Sequence, residues 1–135
     1  MKILIDLDVL LDVIHKEEPA YSTSSAILSL VLVRELQAVL PSHALPNMFA
    51  TLKQYSGIQQ ANDMIDWFLA NFEIATLDKA IFVAARNLPL ADFEDAIVAC
   101  TAVQQACDFI ITRHTGRFSG SPVPAVTPEE YLERY

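Results

Sequence analysis

Aspartates occur in both halves of the chain with spacings that could support chemistry. Asp92 and Asp95 lie three residues apart at the start of a helical pattern, so both carboxylates would lie on one face of its first turn. Asp6 closes the apolar run that starts the chain, and Asp8 follows it by two residues. Carboxylates held together repel each other unless a cation lies between them, and Mg²⁺ and Mn²⁺ prefer oxygen ligands. If the fold brings these acids together, they predict a metal site suited to phosphodiester hydrolysis.

Each of these acids also has a structural explanation. Asp92 follows Pro89 and could cap a helix, with Asp95 in a first turn where the helix dipole favours negative charge. Asp6 could close a strand as a polar residue, and Asp8 could lie on the surface. The spacing alone leaves both explanations open.

The composition indicates a single domain over residues 1–135. Hydrophobic residues make up 53% and charged residues 19%, which argues against disorder and allows a core. No apolar run reaches the roughly 18 residues of a membrane span, and Asp6 comes too early for a signal peptide, so we expect a cytoplasmic protein. The net charge of −8 has the wrong sign for a broad nucleic-acid surface and would suit a basic protein partner. Cys100 and Cys107 would lie about 10 Å apart on one helix, too far for a mutual disulfide.

The alternation of apolar and polar segments predicts strands separated by helices. We predict strands over 2–6, 38–40, 72–77, 109–111 and 123–126. Helices are predicted over 7–14, 22–35, 47–55, 58–71 and 78–87, with two more that begin at Asp92 and Thr127, and connections over 15–21 and 41–46. Tyr55, Leu69 and Val103 are among the residues expected to face the core. This order predicts an α/β fold with three α/β/α layers and a mostly parallel sheet of roughly five strands.

Three segments, taken together, resemble a PIN domain. They read ILIDLDVLLDVI near the start, DFEDAIVACTAVQQACDFIITRHTGRF in the second half and SPVPAVTPEEYL near the end. The likeness covers nearly the whole chain and is strongest to VapC-like members, the toxins of type II toxin–antitoxin pairs. It implies a PIN fold and an endoribonuclease that depends on Mg²⁺ or Mn²⁺. It also implies an RNA substrate, a homodimer and a small antitoxin protein as partner.

The resemblance assigns roles to the acids. Asp6 and Asp95 match the catalytic, metal-binding aspartates of the family, and Asp92 is an accompanying acid of the same catalytic and metal-binding set. Asp8 stands where the family usually has Asn and is predicted to belong to the catalytic set. Asp12 matches a recurrent acid that is expected to be structural.

Two positions where the family has acids carry other residues in this chain. Asn47 replaces a Glu and Arg117 replaces the last Asp, while His114 takes the place of an Asn in the same turn. An amide oxygen can still ligate a metal, but Arg117 opposes a second cation and could grip a phosphate. We therefore expect one metal ion, with Asn47, Arg113, His114 and Arg117 as substrate-binding residues. The alternative is a PIN fold without nuclease activity that serves as a binding or assembly module.

A phosphatase is the main enzymatic rival. The segment IDLDVLLD also resembles the start of a haloacid-dehalogenase-type phosphatase, in which a nucleophilic Asp is followed two residues later by an acid. The Gly-Thr expected next is Val9-Leu10 here, and no lysine follows Lys79 to act as a late catalytic Lys. The same absence argues against a response-regulator receiver domain.

Overall fold

The computed structural model describes residues 1–16 and 18–135, and within them the sheet has five strands. They are β1 (Lys2–Ile5), β2 (Gln37–Pro41), β3 (Glu73–Ala75), β4 (Phe109–Ile111) and β5 (Ala125–Val126). All neighbouring strands pair in parallel, in the order β3-β2-β1-β4-β5. The predicted parallel sheet is confirmed, with every strand at its expected place in the chain.

Seven helices of the described chain cover the two faces of this sheet. They are α1 (Leu7–His15), α2 (Ala20–Leu32), α3 (Ala44–Ser56), α4 (Ile58–Asn71), α5 (Lys79–Arg86), α6 (Phe93–Gln104) and α7 (Pro128–Arg134). A 3-10 helix (Thr115–Phe118) lies between β4 and β5. Helices α1 to α4 and α7 pack on one face, and α5 and α6 lie on the other. This is the predicted α/β/α arrangement.

The central strand β1 shows why the strands are apolar throughout. Ile3 and Ile5 point into the core that α1 to α4 cover, while Leu4 points into the core beneath α6. All three side chains are buried because helices cover both faces, and the strand therefore reads as a continuous apolar run. Burial of each such side chain contributes about 1.5–3 kcal/mol, so β1 is a main support of the fold.

The boundaries of α2 and α3 were both predicted wrongly, since α2, predicted over 22–35, spans Ala20–Leu32. Helix α3 was predicted from Asn47 after a turn over 41–46, but it begins at Ala44 and has Pro46 in its first turn. The first N–H groups of a helix have no partner within it, so a proline at that point removes no hydrogen bond. Asn47 consequently lies inside the helix and does not cap it.

Three residues expected to face the core lie on the surface. Tyr55, Leu69 and Val103 have exposed fractions of 61%, 53% and 50%. Tyr55 packs instead against His15, with ring centroids 4.3 Å apart. His15 ends α1 and residues 20–21 begin α2, so the predicted loop over 15–21 was too long. Glu17, in the middle of that loop, lies outside the described residues.

The caps of α5 and α7 form where the sequence placed them, whereas α2 and α3 begin without a side-chain cap. Asp78 Oδ1 accepts a hydrogen bond from the Ile81 N–H at 3.1 Å at the start of α5. At the start of α7, Thr127 Oγ1 accepts from the Glu130 N–H at 3.1 Å and completes a capping box. Each cap satisfies a donor that the helix leaves free and contributes about 1 kcal/mol.

The cysteines are not joined in a disulfide, as expected, but Cys107 lies beyond the end of α6, so the two residues do not share a helix. Cys100 and Cys107 are free thiols and both are buried. Burial raises the pKa of the Cys107 thiol to about 11, so this group stays protonated at neutral pH. Regarding membranes, no helix in the described part of the chain is both long and apolar enough to span a bilayer.

Candidate functional site

The centre of the sheet contains the point where the chain changes its direction of winding. After β1 the chain moves outward to β2 and β3, and it then returns to β4 on the other side of β1. In open parallel sheets, ligands bind at the carboxyl ends of the strands that flank such a switch point. Asp6 follows β1 and Thr112 follows β4, so both residues lie at this position.

Hydrogen bonds fix the orientation of the Asp6 carboxylate. Its Oδ1 accepts from the Leu7 N–H at 2.9 Å, which caps α1, and its Oδ2 accepts from the buried Thr112 hydroxyl at 2.9 Å. The Asp6 N–H donates in turn to the Ile111 carbonyl at 2.9 Å. Each carboxylate oxygen retains acceptor capacity, so Asp6 presents an oriented carboxylate at the sheet edge.

Asp8, in the first turn of α1, contacts the loop that follows β4. Its Oδ2 accepts from the Arg113 N–H at 3.3 Å and lies 3.4 Å from His114 Nε2. Its Oδ1 is buried without a hydrogen-bond partner among the described residues. Burial and then the charge of Asp6 raise the pKa of Asp8, while Arg113 and His114 lower it. The contacts of Asp8 are therefore mainly with this loop.

Asp12 lies one turn further along α1 and binds the side chain of Arg113. Arg113 Nε donates to Asp12 Oδ2 at 2.6 Å, and the Ser24 hydroxyl of α2 donates to the same oxygen at 3.3 Å. Asp12 is only 3% exposed, and a carboxylate buried this deeply must be paired and hydrogen-bonded. Asp12 is thus structural, as expected, and it engages Arg113 inside the protein.

The second group of acids lies at the N-terminus of α6. Asp92 Oδ1 accepts from the Asp95 N–H at 3.0 Å and caps the helix. Asp92, Glu94 and Asp95 line an open depression of about 390 Å³ together with Ala91 and Arg117. Because Arg117 belongs to the 3-10 helix after β4, this depression joins α6 to the β4–β5 loop.

The carboxyl of Asp95 is strongly perturbed. Burial, followed by repulsion from Asp92 and then Asp6, raises the pKa of Asp95 to about 6, while Arg117 lowers it. The acids after β1 and at the start of α6 share this edge of the sheet, because Asp6 and Glu94 line one cleft while Glu94 and Asp95 line the depression. A carboxyl held among like charges favours a proton or a cation as counter-charge.

A small cleft beside Asp6 contains residues that the sequence analysis missed. His43 precedes α3 and its Nε2 lies 3.9 Å from Glu94 Oε1, and both residues line the cleft with Asp6 and Asn47. Burial lowers the pKa of His43, while Glu94 and Asp6 raise it. The Nδ1 atom of His43 is buried and has no hydrogen-bond partner within residues 1–16 and 18–135. The cleft therefore places the His43 imidazole beside the carboxylates of Asp6 and Glu94.

Asp6 and Asp95 are the candidate ligands for a cation at this edge. Within the described residues, no group of three or more His, Cys, Asp or Glu side chains could hold a metal ion. The charge of Asp6 nevertheless raises the pKa of Asp95, so a cation near both would relieve repulsion. Mg²⁺ commonly binds through one or two carboxylates and keeps several waters, and this pair fits that mode. Arg117 opposes a second cation in the same depression.

The structure brings the predicted site residues to one edge of the sheet. They are Asp6, Asp8, Asn47, Asp92, Asp95, Arg113, His114 and Arg117. Thr112, His43 and Glu94 belong to the same edge. Thr112 directly follows an apolar strand, as Asp6 does, and Glu94 lies between two recognised acids, so position alone could have identified both. No comparable signal marked His43. The roles of all these residues in binding or catalysis stay predictions.

The chain belongs to the PIN domain family. A family model described as "PIN domain" matches residues 2–116, which is most of the chain. Among curated proteins, no sequence match was found.

Solved structures confirm the fold. A VapBC complex from Rickettsia felis, bound to a DNA fragment from its promoter, has a TM-score of 0.71 and 15% identity, covering 94% of this chain and 98% of that chain. A toxin–antitoxin complex from Klebsiella pneumoniae has a TM-score of 0.70 and 21% identity, with coverages of 93% and 97%. A VapC toxin of Mycobacterium tuberculosis that cleaves the sarcin-ricin loop has a TM-score of 0.68 and 14% identity, with coverages of 93% and 99%. At these identities, the similarity establishes a shared fold.

Proposed function

We propose that the chain is a metal-dependent endoribonuclease, a VapC-like toxin that hydrolyses RNA phosphodiester bonds. The observation that carries this proposal is the placement of Asp6 at the switch point of a PIN domain, where it shares a cleft with Glu94 of α6. Glu94 in turn shares the depression with Asp92 and Asp95. Family membership supports nuclease activity, and the similarity to toxin–antitoxin structures supports a toxin. Mg²⁺ or Mn²⁺ is the proposed cofactor, because both ions prefer carboxylate oxygens.

In this proposal Asp6 and Asp95 would hold the cation, and Asp92 and Asp8 would accept hydrogen bonds from its water molecules. When bound, the cation would supply an acidified water and neutralise charge that develops on the phosphate. Thr112 holds the Asp6 carboxylate in one orientation before anything binds, so this ligand needs little further ordering. One oxygen of Asp92 is engaged as the helix cap, which leaves its other oxygen for a water.

The cations of the β4–β5 loop would bind the RNA backbone. Arg117 lies beside Asp95 and forms no salt bridge with any described residue, so its guanidinium is available to a phosphate. His114 contacts Asp8 through Nε2, and in its doubly protonated form its Nδ1–H could donate to a phosphate oxygen. Asn47 is exposed beside the cleft and offers an amide to the ribose or base. Arg113 was predicted to bind substrate too, but its Nε is engaged by a buried carboxylate, so only its outer nitrogens remain for RNA.

A small antitoxin is the proposed protein partner. The net charge of −8 favours a basic partner, and the similar structures from Rickettsia felis and Klebsiella pneumoniae are toxin–antitoxin assemblies. We also propose a homodimer and a cytoplasmic location, in keeping with the resemblance to VapC-like toxins.

A PIN domain that binds a partner without cutting RNA is the second candidate. It is favoured by the lack of a three-acid metal group among the described residues, and by Asn47 and Arg117 at positions where the family has acids. Asp6 and Asp92 would then serve as the helix caps that they already are.

RNA cleavage with and without metal separates these two functions. Purified protein is incubated with total cellular RNA in Mn²⁺ or in a chelator, and the products are resolved on a denaturing gel. The nuclease proposal predicts discrete cleavage products with Mn²⁺ and none with chelator. RNA that stays intact under both conditions would favour the binding module.

The pH dependence of metal binding follows from Asp95. With a pKa of about 6, this carboxyl is ionised at about pH 7.5 and mostly protonated at pH 5, so the apparent Mn²⁺ affinity is expected to fall about tenfold between them. Calorimetric titrations at the two pH values measure this change. Between about pH 4 and pH 6 the folded protein keeps the proton on Asp95, whereas the unfolded chain has already released it. Ionisation of Asp95 therefore destabilises the metal-free fold above about pH 6, and this penalty disappears as the pH falls toward 4. A pH-independent Mn²⁺ affinity would contradict the role of Asp95.

Thr112→Val removes the hydroxyl that orients Asp6 while nearly keeping the side-chain shape. We expect Mn²⁺ affinity to fall about tenfold and the fold to lose about 1.5 kcal/mol, since a hydrogen bond to a charged group is lost. Thr101→Val is a matched control, because its buried hydroxyl donates to the Ile97 carbonyl at 2.7 Å, away from the acids. Equal Mn²⁺ affinities in the two variants would show that Thr112 does not support the site.

A further inference from the structure

Two acids of α1 hold the same segment of the β4–β5 loop. Asp8 Oδ2 accepts from the Arg113 N–H at 3.3 Å and lies 3.4 Å from His114 Nε2. One turn later, Asp12 Oδ2 receives Arg113 Nε at 2.6 Å and the Ser24 hydroxyl at 3.3 Å. Backbone and side chain of Arg113 are thus attached to α1 at two separate points.

The attachment at Asp12 is the stronger one. Asp12 is 3% exposed, so its charge depends on its partners, whereas the Arg113 side chain is 38% exposed and reaches inward from the surface. An arginine stays protonated at any ordinary pH, so Arg113 remains a charged partner for Asp12. An arginine that only bound substrate would be expected to extend toward solvent, whereas Arg113 directs its Nε inward to Asp12.

The segment held in this way leads directly to Arg117. The Arg117 N–H donates to the His114 carbonyl at 3.0 Å, and the next residue, Phe118, is buried in the core beneath α6. The turn is therefore anchored at one end by Arg113 on Asp12 and at the other end by Phe118. Arg117 projects between these anchors and lines the depression with Asp95.

We infer that Arg113 is a positioning residue, whose ion pair with Asp12 holds residues 112–117 against α1 and so keeps Arg117 beside Asp95. Its place in the site is then indirect, through the loop, and Asp8 supports the same loop from the preceding turn. This inference concerns the site of the proposed function, but the attachment itself is measurable without metal or RNA.

The test uses a double variant that leaves the net charge unchanged. Asp12→Asn combined with Arg113→Gln removes one charge of each sign and keeps similar shapes, so the chain is expected to fold. The matched control is Lys2→Gln combined with Glu73→Gln, which removes the 3.3 Å surface pair at the opposite end of the sheet. Backbone amide exchange over residues 113–117 and calorimetric Mn²⁺ affinity are measured for both.

We expect faster amide exchange in residues 113–117 of the Asp12 and Arg113 variant alone. We also expect Mn²⁺ to bind about threefold more tightly, because Arg117 is released from the side of Asp95. In an Arg117→Gln background this gain should disappear, which a merely structural role would not produce. Unchanged exchange in the folded double variant would overturn the inference, and faster exchange with unchanged Mn²⁺ affinity would overturn the positioning of Arg117.

Two further results keep the test decisive. If the wild-type protein binds no Mn²⁺, the proposed metal-dependent function fails while amide exchange alone still decides the attachment. If the double variant does not fold, Asp12→Asn alone takes its place, because it removes the ion pair while Arg113, whose side chain is 38% exposed, can be hydrated. Faster exchange in residues 113–117 of Asp12→Asn supports the inference, and unchanged exchange overturns it.

Discussion

Asp6→Asn is expected to lower Mn²⁺-dependent RNA cleavage by at least about 100-fold while leaving the fold intact. The substitution removes the charge that would hold the cation at the end of β1. Asn caps helices as well as Asp does, so its carbonyl oxygen can still accept from the Leu7 N–H and keep α1 in place. Initial cleavage rates with saturating Mn²⁺ measure the loss, and thermal unfolding checks the fold.

The control for this prediction is Asp108→Asn. Asp108 is an acid at the opposite end of the sheet, where its Oδ2 accepts from the Lys2 N–H at 3.0 Å. Its substitution changes the net charge by the same amount and should leave cleavage nearly unchanged. Equal cleavage activity of Asp6→Asn and Asp108→Asn would show that Asp6 does not take part in the catalytic site.

The largest effect on stability is expected for Arg113→Leu. This substitution leaves Asp12 as a buried carboxylate with only the Ser24 hydroxyl as a partner, and we expect a loss of about 3 kcal/mol. The double variant Asp12→Asn with Arg113→Gln should lose much less, because no uncompensated charge remains. Urea unfolding at neutral pH measures both differences.

Glu73→Gln provides the comparison for an exposed ion pair. Its partner Lys2 lies 3.3 Å away, and the Glu73 side chain is 54% exposed, so its loss should cost less than about 1 kcal/mol. If Arg113→Leu were no more destabilising than Glu73→Gln, the pair of Asp12 with Arg113 would not support the loop.

Most of the fold could be predicted because its signals are local. The run from Lys2 to Ile5 is apolar throughout, as strands covered on both faces are, and Asp78 and Thr127 mark helix starts. The start of α3 was missed because Pro46 was interpreted as a break, although a proline in a first turn removes no helical hydrogen bond. Tyr55 was placed inward from periodicity alone, but it lies at the surface against His15.

The candidate site was predictable only in part. Asp6 and Asp95 were identified because strand ends and helix starts meet at one edge of a parallel sheet. Contacts that connect distant parts of the chain left no local pattern in the sequence. Examples are the hydrogen bond from Thr112 to Asp6 and the ion pair of Arg113 with Asp12. Sequence spacing identifies residue types that are suited to chemistry, while these partners depend on how α1 packs beside β4.

The central claim, a metal site formed by Asp6 and Asp95, is tested most directly by calorimetric titration of Mn²⁺ into the wild-type protein and Asp95→Asn at about pH 7.5. The account predicts one-to-one binding to the wild-type protein and none to the variant. Equal binding to both proteins would place the metal elsewhere. An absence of binding to the wild-type protein would contradict the metal site and leave the PIN domain as a binding module.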